Sequence, residues 1–187
     1  MTLISTFELL LKPQLPRFVT DKIPALSAIT RTILQGYFLT ISNISKDQVT
    51  LSLVATTRTS DFNSTSIRTF LDSTGSDKDV LESDFKNDGD IQTSTFTFSI
   101  DGNDTGLFIL QPNILDDKLL ADSNFELRGY AEISISPKST SKQAQLLIIP
   151  EHRGTFFTTD QPKGDQSEVG ELAYALPISG GNALFEL

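Results

Sequence analysis

Asp101, Asn103 and Thr105, followed by Gly106, put oxygen-bearing side chains at alternate positions before a glycine, which is how a calcium loop begins. The twelfth position of such a loop should supply a bidentate carboxylate, and here it is Pro112. Asp, Gly and Asn are also what a tight turn demands, so Asp101–Gly106 is expected first as a hairpin turn between two strands. Asn87-Asp88-Gly89-Asp90 reads the same way. If a cation binds, its ligands come from Asp101, Asn103, Asp104, Asp88 and Asp90, with Asp84 nearby. That requires the two turns to meet at one end of the fold.

His152 is the single histidine, in Pro150-Glu151-His152-Arg153-Gly154. An imidazole beside a carboxylate can act as an acid or base. No Gly-x-Ser-x-Gly elbow accompanies it, and one histidine without any cysteine cannot build a zinc site. The expected setting is a surface turn in which Arg153 pairs with a carboxylate. Glu126 and Glu132 share one face of a strand but lie roughly 20 Å apart at strand rise, too far for a glycosidase pair. No glycine-rich phosphate loop occurs. The chain is therefore expected to be non-enzymatic, without a cofactor other than calcium at the acidic turns.

Charge narrows the partners. The net charge is −9. Residues 61–90 hold eight acids and three bases, and residues 101–126 hold six acids and one base. Each segment is thus −5, leaving the remainder near +1. Without a basic stripe, nucleic acid and anionic membranes are not expected as partners. The absence of cysteine rules out disulfides and thiolate chemistry. The N-terminal run Leu9-Leu10-Leu11 lacks the basic flank and cleavage site of a signal peptide, so a cytoplasmic location is expected.

Whatever chemistry exists must be positioned by strands. Phe125 to Ser136 alternates almost without fault: Phe125, Leu127, Gly129, Ala131, Ile133 and Ile135 against Glu126, Arg128, Tyr130, Glu132, Ser134 and Ser136. That is a long strand with one dry and one wet face. Its small residues Gly129 and Ala131 suggest close approach by bulky side chains such as Phe96 or Phe98. Tyr37–Ser42 and Gln48–Thr57 read as the two arms of a hairpin around the polar turn 43–47. Ile91–Ile100, Ile67–Leu71, Leu146–Ile149 and the segments 154–158, 172–176 and 183–187 read as further strands. Leu107–Leu110, apolar on both faces, reads as a central one. Thr159–Glu168 reads as an exposed loop. Ala25–Gln35 is balanced between helix and strand, with β-branched alternation favouring strand. A helical turn is expected near Asp79–Phe85, with Ser76 and Asp79 spaced as a capping box, and a short helix within Asn113–Asp122.

The expected fold is all-β: an antiparallel two-sheet β-sandwich, immunoglobulin-like or jelly-roll-like, with at most one or two short helices. It should form one domain over residues 1–187, with residues 1–24 as an extended N-terminal strand and a proline-rich connection. The Tyr37–Thr57 segment, with Asn43 after an alternating arm, resembles strand pairs of immunoglobulin-like sandwiches. The resemblance spans some twenty residues, without the hallmark Cys and Trp, and carries no functional residues across. The expected function is interaction or assembly through a sheet face or the end loops, with a protein partner or a homo-oligomer. Tyr130, Arg128 and Glu132 are the surface expected to make that contact. The alternative is a calcium-assisted carbohydrate- or ligand-binding module using the acidic loops.

Overall fold

A computed structural model describes residues 1–58, 65–73, 75–80, 82–157 and 170–187. It is all-β, with two short helices, α1 (Arg17–Lys22) and α2 (Asp117–Asp122). The strands are β1 (Thr2–Pro13), β2 (Thr32–Asn43), β3 (Val49–Thr57), β4 (Ile67–Ser73), β5 (Ser76–Asp79), β6 (Glu82–Asp88), β7 (Ile91–Ile100), β8 (Asp104–Pro112), β9 (Phe125–Ile135), β10 (Gln145–Phe157), β11 (Gly170–Ala175) and β12 (Leu184–Glu186). They belong to one antiparallel sheet in the order β5-β4-β8-β2-β1-β9-β3-β7-β6, with β10 on β2 and β11 and β12 on β10. The sheet curls into a half-barrel, where two separate sheets were expected. Among the described residues no helix is long and apolar enough to cross a membrane.

The curl follows from which strands do not pair. β2 and β3, expected as a hairpin, have no ladder between them: β2 pairs with β1, β8 and β10, and β3 with β7 and β9. The arms behind the immunoglobulin-like resemblance are thus not partners. Likewise β7 and β8 are joined by three residues but stand eighth and third in the sheet order. Both connections cross between the two arms of the curl, and they lie against each other. Asn43, fully buried, holds them: its Nδ2 donates to Asp47 O at 2.9 Å, Asp101 O at 3.1 Å and Ile100 O at 3.3 Å. Between the arms, the Phe108 ring of β8 stacks on Phe98 of β7 at 5.5 Å and leans on Phe96 at 5.6 Å. These rings sit in a continuous core with Leu9, Leu11, Leu39, Ile41, Leu51, Leu53, Ile133, Leu146 and Ile148.

β9 keeps its expected alternation, with Phe125, Leu127, Ala131 and Ile133 buried. The bulky group against Gly129 is Phe7 of neighbouring β1, not Phe96 or Phe98: a Cβ there would lie 2.8 Å from the Phe7 ring and 2.2 Å from Thr56 O. β8 is an internal strand as expected, and α2 falls within the expected segment, capped by Asp116, whose carboxylate accepts from the Lys118 and Leu119 amides.

Two local readings are corrected. Residues 24–29 form a 3-10 turn, closed by Thr30 Oγ1 donating to Leu26 O, and strand geometry starts only at Thr32. The helical turn near Asp79–Phe85 is instead strand, because Ser76–Asp79 pairs with β4 and Glu82–Asp88 with β7. The loop expected at Thr159–Glu168 lies outside the described residues.

Candidate functional site

The two acidic turns lie at opposite ends of β7. Asp88 and Asp90 flank Gly89 at the β6–β7 hairpin, where φ is +62° at the glycine. Asp101, Asn103 and Asp104 form the β7–β8 corner, the length of a ten-residue strand away. At strand rise that separation is roughly 30 Å, so no ion can be shared. Among the described residues no three His, Asp or Glu side chains cluster to hold a metal. Three of the corner's oxygens make bonds within the fold: Asp104 Oδ1 accepts the Thr105 N–H at 2.8 Å, Asp101 Oδ1 accepts from Gln48 Nε2, and Thr105 Oγ1 donates to Ser42 Oγ at 2.8 Å. The Asn103 backbone N–H donates to Ser45 O at 3.0 Å.

His152 is not in a surface turn. It sits within β10, 5% exposed, paired to Tyr37 of β2 on one side and Tyr174 of β11 on the other. β10 runs straight through Pro150, whose missing N–H costs nothing. The Pro150 carbonyl accepts from Leu176 on the outer edge of β10, so the nitrogen faces that same edge, in the gap between β12 and β11. Arg153 does pair with a carboxylate, its neighbour Glu151, at 2.7 Å, and it lies over the Phe38 ring at 4.9 Å.

Both imidazole nitrogens are engaged. Nε2 accepts the Glu8 backbone N–H at 2.9 Å, which assigns the proton to Nδ1, and Nδ1 donates to Tyr174 Oη at 2.8 Å. The histidine thereby ties its own strand and β11 to β1, with which neither forms a ladder. The Glu8 carboxylate is held by Arg128 Nε at 2.6 Å and approached by Gln35 Nε2 at 3.4 Å; Arg128 also pairs with Glu126, which takes the Lys12 ammonium. Beneath the cluster Tyr37 Oη bonds Ser5 Oγ at 3.0 Å, where a register shift after Leu3 leaves both Ile4 and Ser5 buried. Burial holds the Tyr37 phenol protonated against the pull of the Ser5 bond. Burial and then the Glu8 carboxylate raise Tyr174. Nothing in the local sequence pairs Glu8 with His152, because 144 residues separate them.

Burial lowers the His152 pKa more than the Glu8 carboxylate raises it. The folded chain keeps the ring neutral where the unfolded chain, with an ordinary value of 6.5, takes up a proton. Stability should therefore fall as pH drops below about 6.5, by up to ~1.4 kcal/mol per pH unit. Protonation also removes the Nε2 acceptor from Glu8. Unfolding midpoints measured from neutral to acidic pH should show this decline, and His152→Gln should flatten it; an equal decline in the variant would assign it to the carboxylates.

Tyr130, Arg128 and Glu132 share the outer face of β9. Tyr130 is 41% exposed between Thr6 of β1 and Thr56 of β3, Glu132 is half-buried, and Arg128 is committed to Glu8 and Glu126. Around them the outer face of β3, β7 and β9 is hydroxyl-rich: Thr50, Ser52, Thr93, Thr95, Thr97 and Ser134.

The other arm differs. Cross-strand register sets Leu184, Leu147 and Ile149 beside Thr40, Leu107, Phe38, Ile109 and Phe70 on the outer face of β12, β10, β2, β8 and β4. Leu147, Ile149 and Leu184 are each 39% exposed and the phenylalanines half-buried. Next to Phe38 the missing side chain of Gly36 leaves a groove walled by Leu34, Gln111, Arg153 and Leu172. The sequence signals for this surface are the unbroken apolar runs Leu146–Ile149 and Leu107–Leu110, which by themselves say only that two strands are apolar on both faces.

No family model and no curated protein matches the chain. Among solved structures it is similar to AvmM, described as catalysing macrocyclization in alchivemycin A biosynthesis, at 7% identity and a TM-score of 0.28 over 92% of this chain and 88% of that one. It is also similar to the viral chemokine binding protein R17 encoded by rodent gammaherpesvirus Peru, at 12% identity and a TM-score of 0.26 over 78% of this chain and 51% of that one. Similarities of this size carry no functional argument.

Proposed function

We propose that the chain is a non-catalytic interaction or assembly module that works through a sheet face. The observation that supports this reading is the apolar outer face of β12, β10, β2, β8 and β4. A sheet face exposed to water is normally polar, so apolar residues on both faces of β10 and β8 signal that something covers the outer one. The engagement of both His152 nitrogens, and the bonds that Asp101, Asp104 and Thr105 already make within the fold, favour this reading over the two other candidate sites. The Tyr130 face is the second candidate: Tyr130 is exposed, but the surrounding side chains are mostly hydroxyls and Arg128 is already paired with Glu8 and Glu126.

Affinity capture from host extract tests the reading. The unaltered chain and Tyr130→Ala should retain a bound protein, either a partner or further copies of the chain. Ile149→Asp, which charges the apolar face without entering the core, should lose it. Loss on Tyr130→Ala alone would move the contact to the β9 face, and equal retention by all three overturns the proposal.

A further inference from the structure

At its β4 end the apolar face carries two opposite charges, Arg68 and Asp72, that form no ion pair among the described residues. Among the described residues three buried side-chain atoms lack a hydrogen-bond partner, and two of them, Arg68 Nε and Asp72 Oδ1, belong to β4. Arg68, Phe70 and Asp72 all point outward from β4, while Ile67, Thr69 and Leu71 point into the core. Both charged residues are half-buried, so part of each side chain remains open at the surface. A docking partner meets that open part of each charged group, not the enclosed Arg68 Nε and Asp72 Oδ1.

The register arranges this face in three rows. One row runs Asp72, Leu107, Thr40, Ile149; the next Asp79, Phe70, Ile109, Phe38, Glu151. The third holds Arg68 beside Gln111, then Gly36, then Arg153. A two-fold axis lying along the middle row lays the first row of one copy over the third row of another. Asp72 of each copy then meets Arg68 of the other, twice by symmetry. The middle rows meet on themselves: Phe70, Ile109 and Phe38 pack against their copies, while Asp79 at one end and Glu151, held by Arg153, at the other fall opposite their own copies. Leu107 and Thr40 come over the groove at Gly36. A self-matching patch of this kind is what an isologous dimer requires.

From this we infer that the face is a homodimer interface, in which a second copy of the chain packs face to face and pairs Arg68 with Asp72 reciprocally. The inference rests on the interaction reading above and names its partner.

Sedimentation over a concentration series tests it. The unaltered chain should show twice its 20.5 kDa mass. Arg68→Glu alone and Asp72→Lys alone should each dimerise at least about tenfold more weakly, because like charges then face each other across the axis. Mixed in equal amounts, the two variants should dimerise again. The introduced glutamate of one variant then meets the introduced lysine of the other, and the remaining Asp72 and Arg68 meet as before. A monomeric unaltered chain, unaffected single variants, or a mixture that stays monomeric would each overturn the inference. Hydroxyl-radical labelling of Phe70 and Ile109 in the unaltered chain needs no variant: protection that grows with concentration supports the dimer, and constant labelling overturns it. A chain that sediments as a monomer yet loses a captured partner on Ile149→Asp would sink the dimer while leaving the interaction reading in place.

Discussion

Phe108→Ala should cost roughly 3–5 kcal/mol of stability, enough to consume much of the margin of a domain this size. Phe108 is fully buried on β8, and its ring meets Phe98 and Phe96 of β7. No hydrogen-bond ladder joins β7 to β8. The backbone therefore does not hold the two arms of the curl together at this point; the rings do. Removing one ring deletes the buried area, leaves a cavity between sheet arms that cannot collapse without uncurling, and forfeits the ring–ring term of about 0.5–1.5 kcal/mol. Urea unfolding should show a lowered midpoint with little change in slope. Phe108→Leu should lose less, since it keeps most of the volume. Phe18→Ala, at a side chain 65% exposed, should lose under about 0.5 kcal/mol. A Phe108→Ala loss near that of Phe18→Ala would mean that the arms are not closed on each other.

The alternation of Phe125 to Ile135 was legible because one side of β9 faces the core, and period two reports that directly. The same logic says less at Leu146–Ile149. A run of apolar residues says that both faces avoid water but not what covers them. In the chain alone Leu147 and Ile149 stay 39% exposed. Strand pairing was less legible still. Tyr37–Ser42 and Gln48–Thr57 have good arms and good turn residues between them, and those local signals fit a corner as well as a hairpin. What decides is whether β8 and β10 are better partners for β2, and that competition is settled by contacts far apart in sequence. The setting of His152 is hidden in the sequence for a related reason. Pro-Glu-His-Arg-Gly reads as a turn by composition, and only the gap between β12 and β11 on the edge of β10 makes a proline there harmless. The acidic turns were recognisable as turns. Their separation along β7 follows from strand length, which the sequence also contained.

Gly102→Ala should be the most damaging change in the segment that resembles a calcium loop, at ~3 kcal/mol or more. A Cβ at Gly102 would lie 1.9 Å from the Lys46 carbonyl oxygen and 2.3 Å from its carbon. Both are main-chain atoms, so no rotamer change relieves the overlap. The Lys46 backbone cannot retreat freely either. Asn43 grips Asp47 O from one end of that connection and takes the Ser45 N–H on its own Oδ1, while Ser45 O receives the Asn103 N–H. The two crossings are locked at a single point, and an added methyl must part them or shift both. The cation reading makes a different prediction. It assigns weight to Asp101, Asn103, Thr105 and Gly106, and none to the second position of the loop, where Gly102 stands. Asp101→Asn should then be nearly silent if the segment is a corner, since the exposed Asp101 carboxylate contributes only a surface bond with Gln48. Urea unfolding of the two variants, with hydrogen exchange of the Asn103 amide, separates the cases. A corner gives large destabilisation and lost Asn103 protection for Gly102→Ala alone. A cation site gives its main loss at Asp101→Asn, and only in the presence of calcium. The first outcome means that the oxygen-rich pattern Asp-Gly-Asn-Asp-Thr-Gly is satisfied by the protein's own backbone, and that two connections distant in sequence were shaped to fit each other.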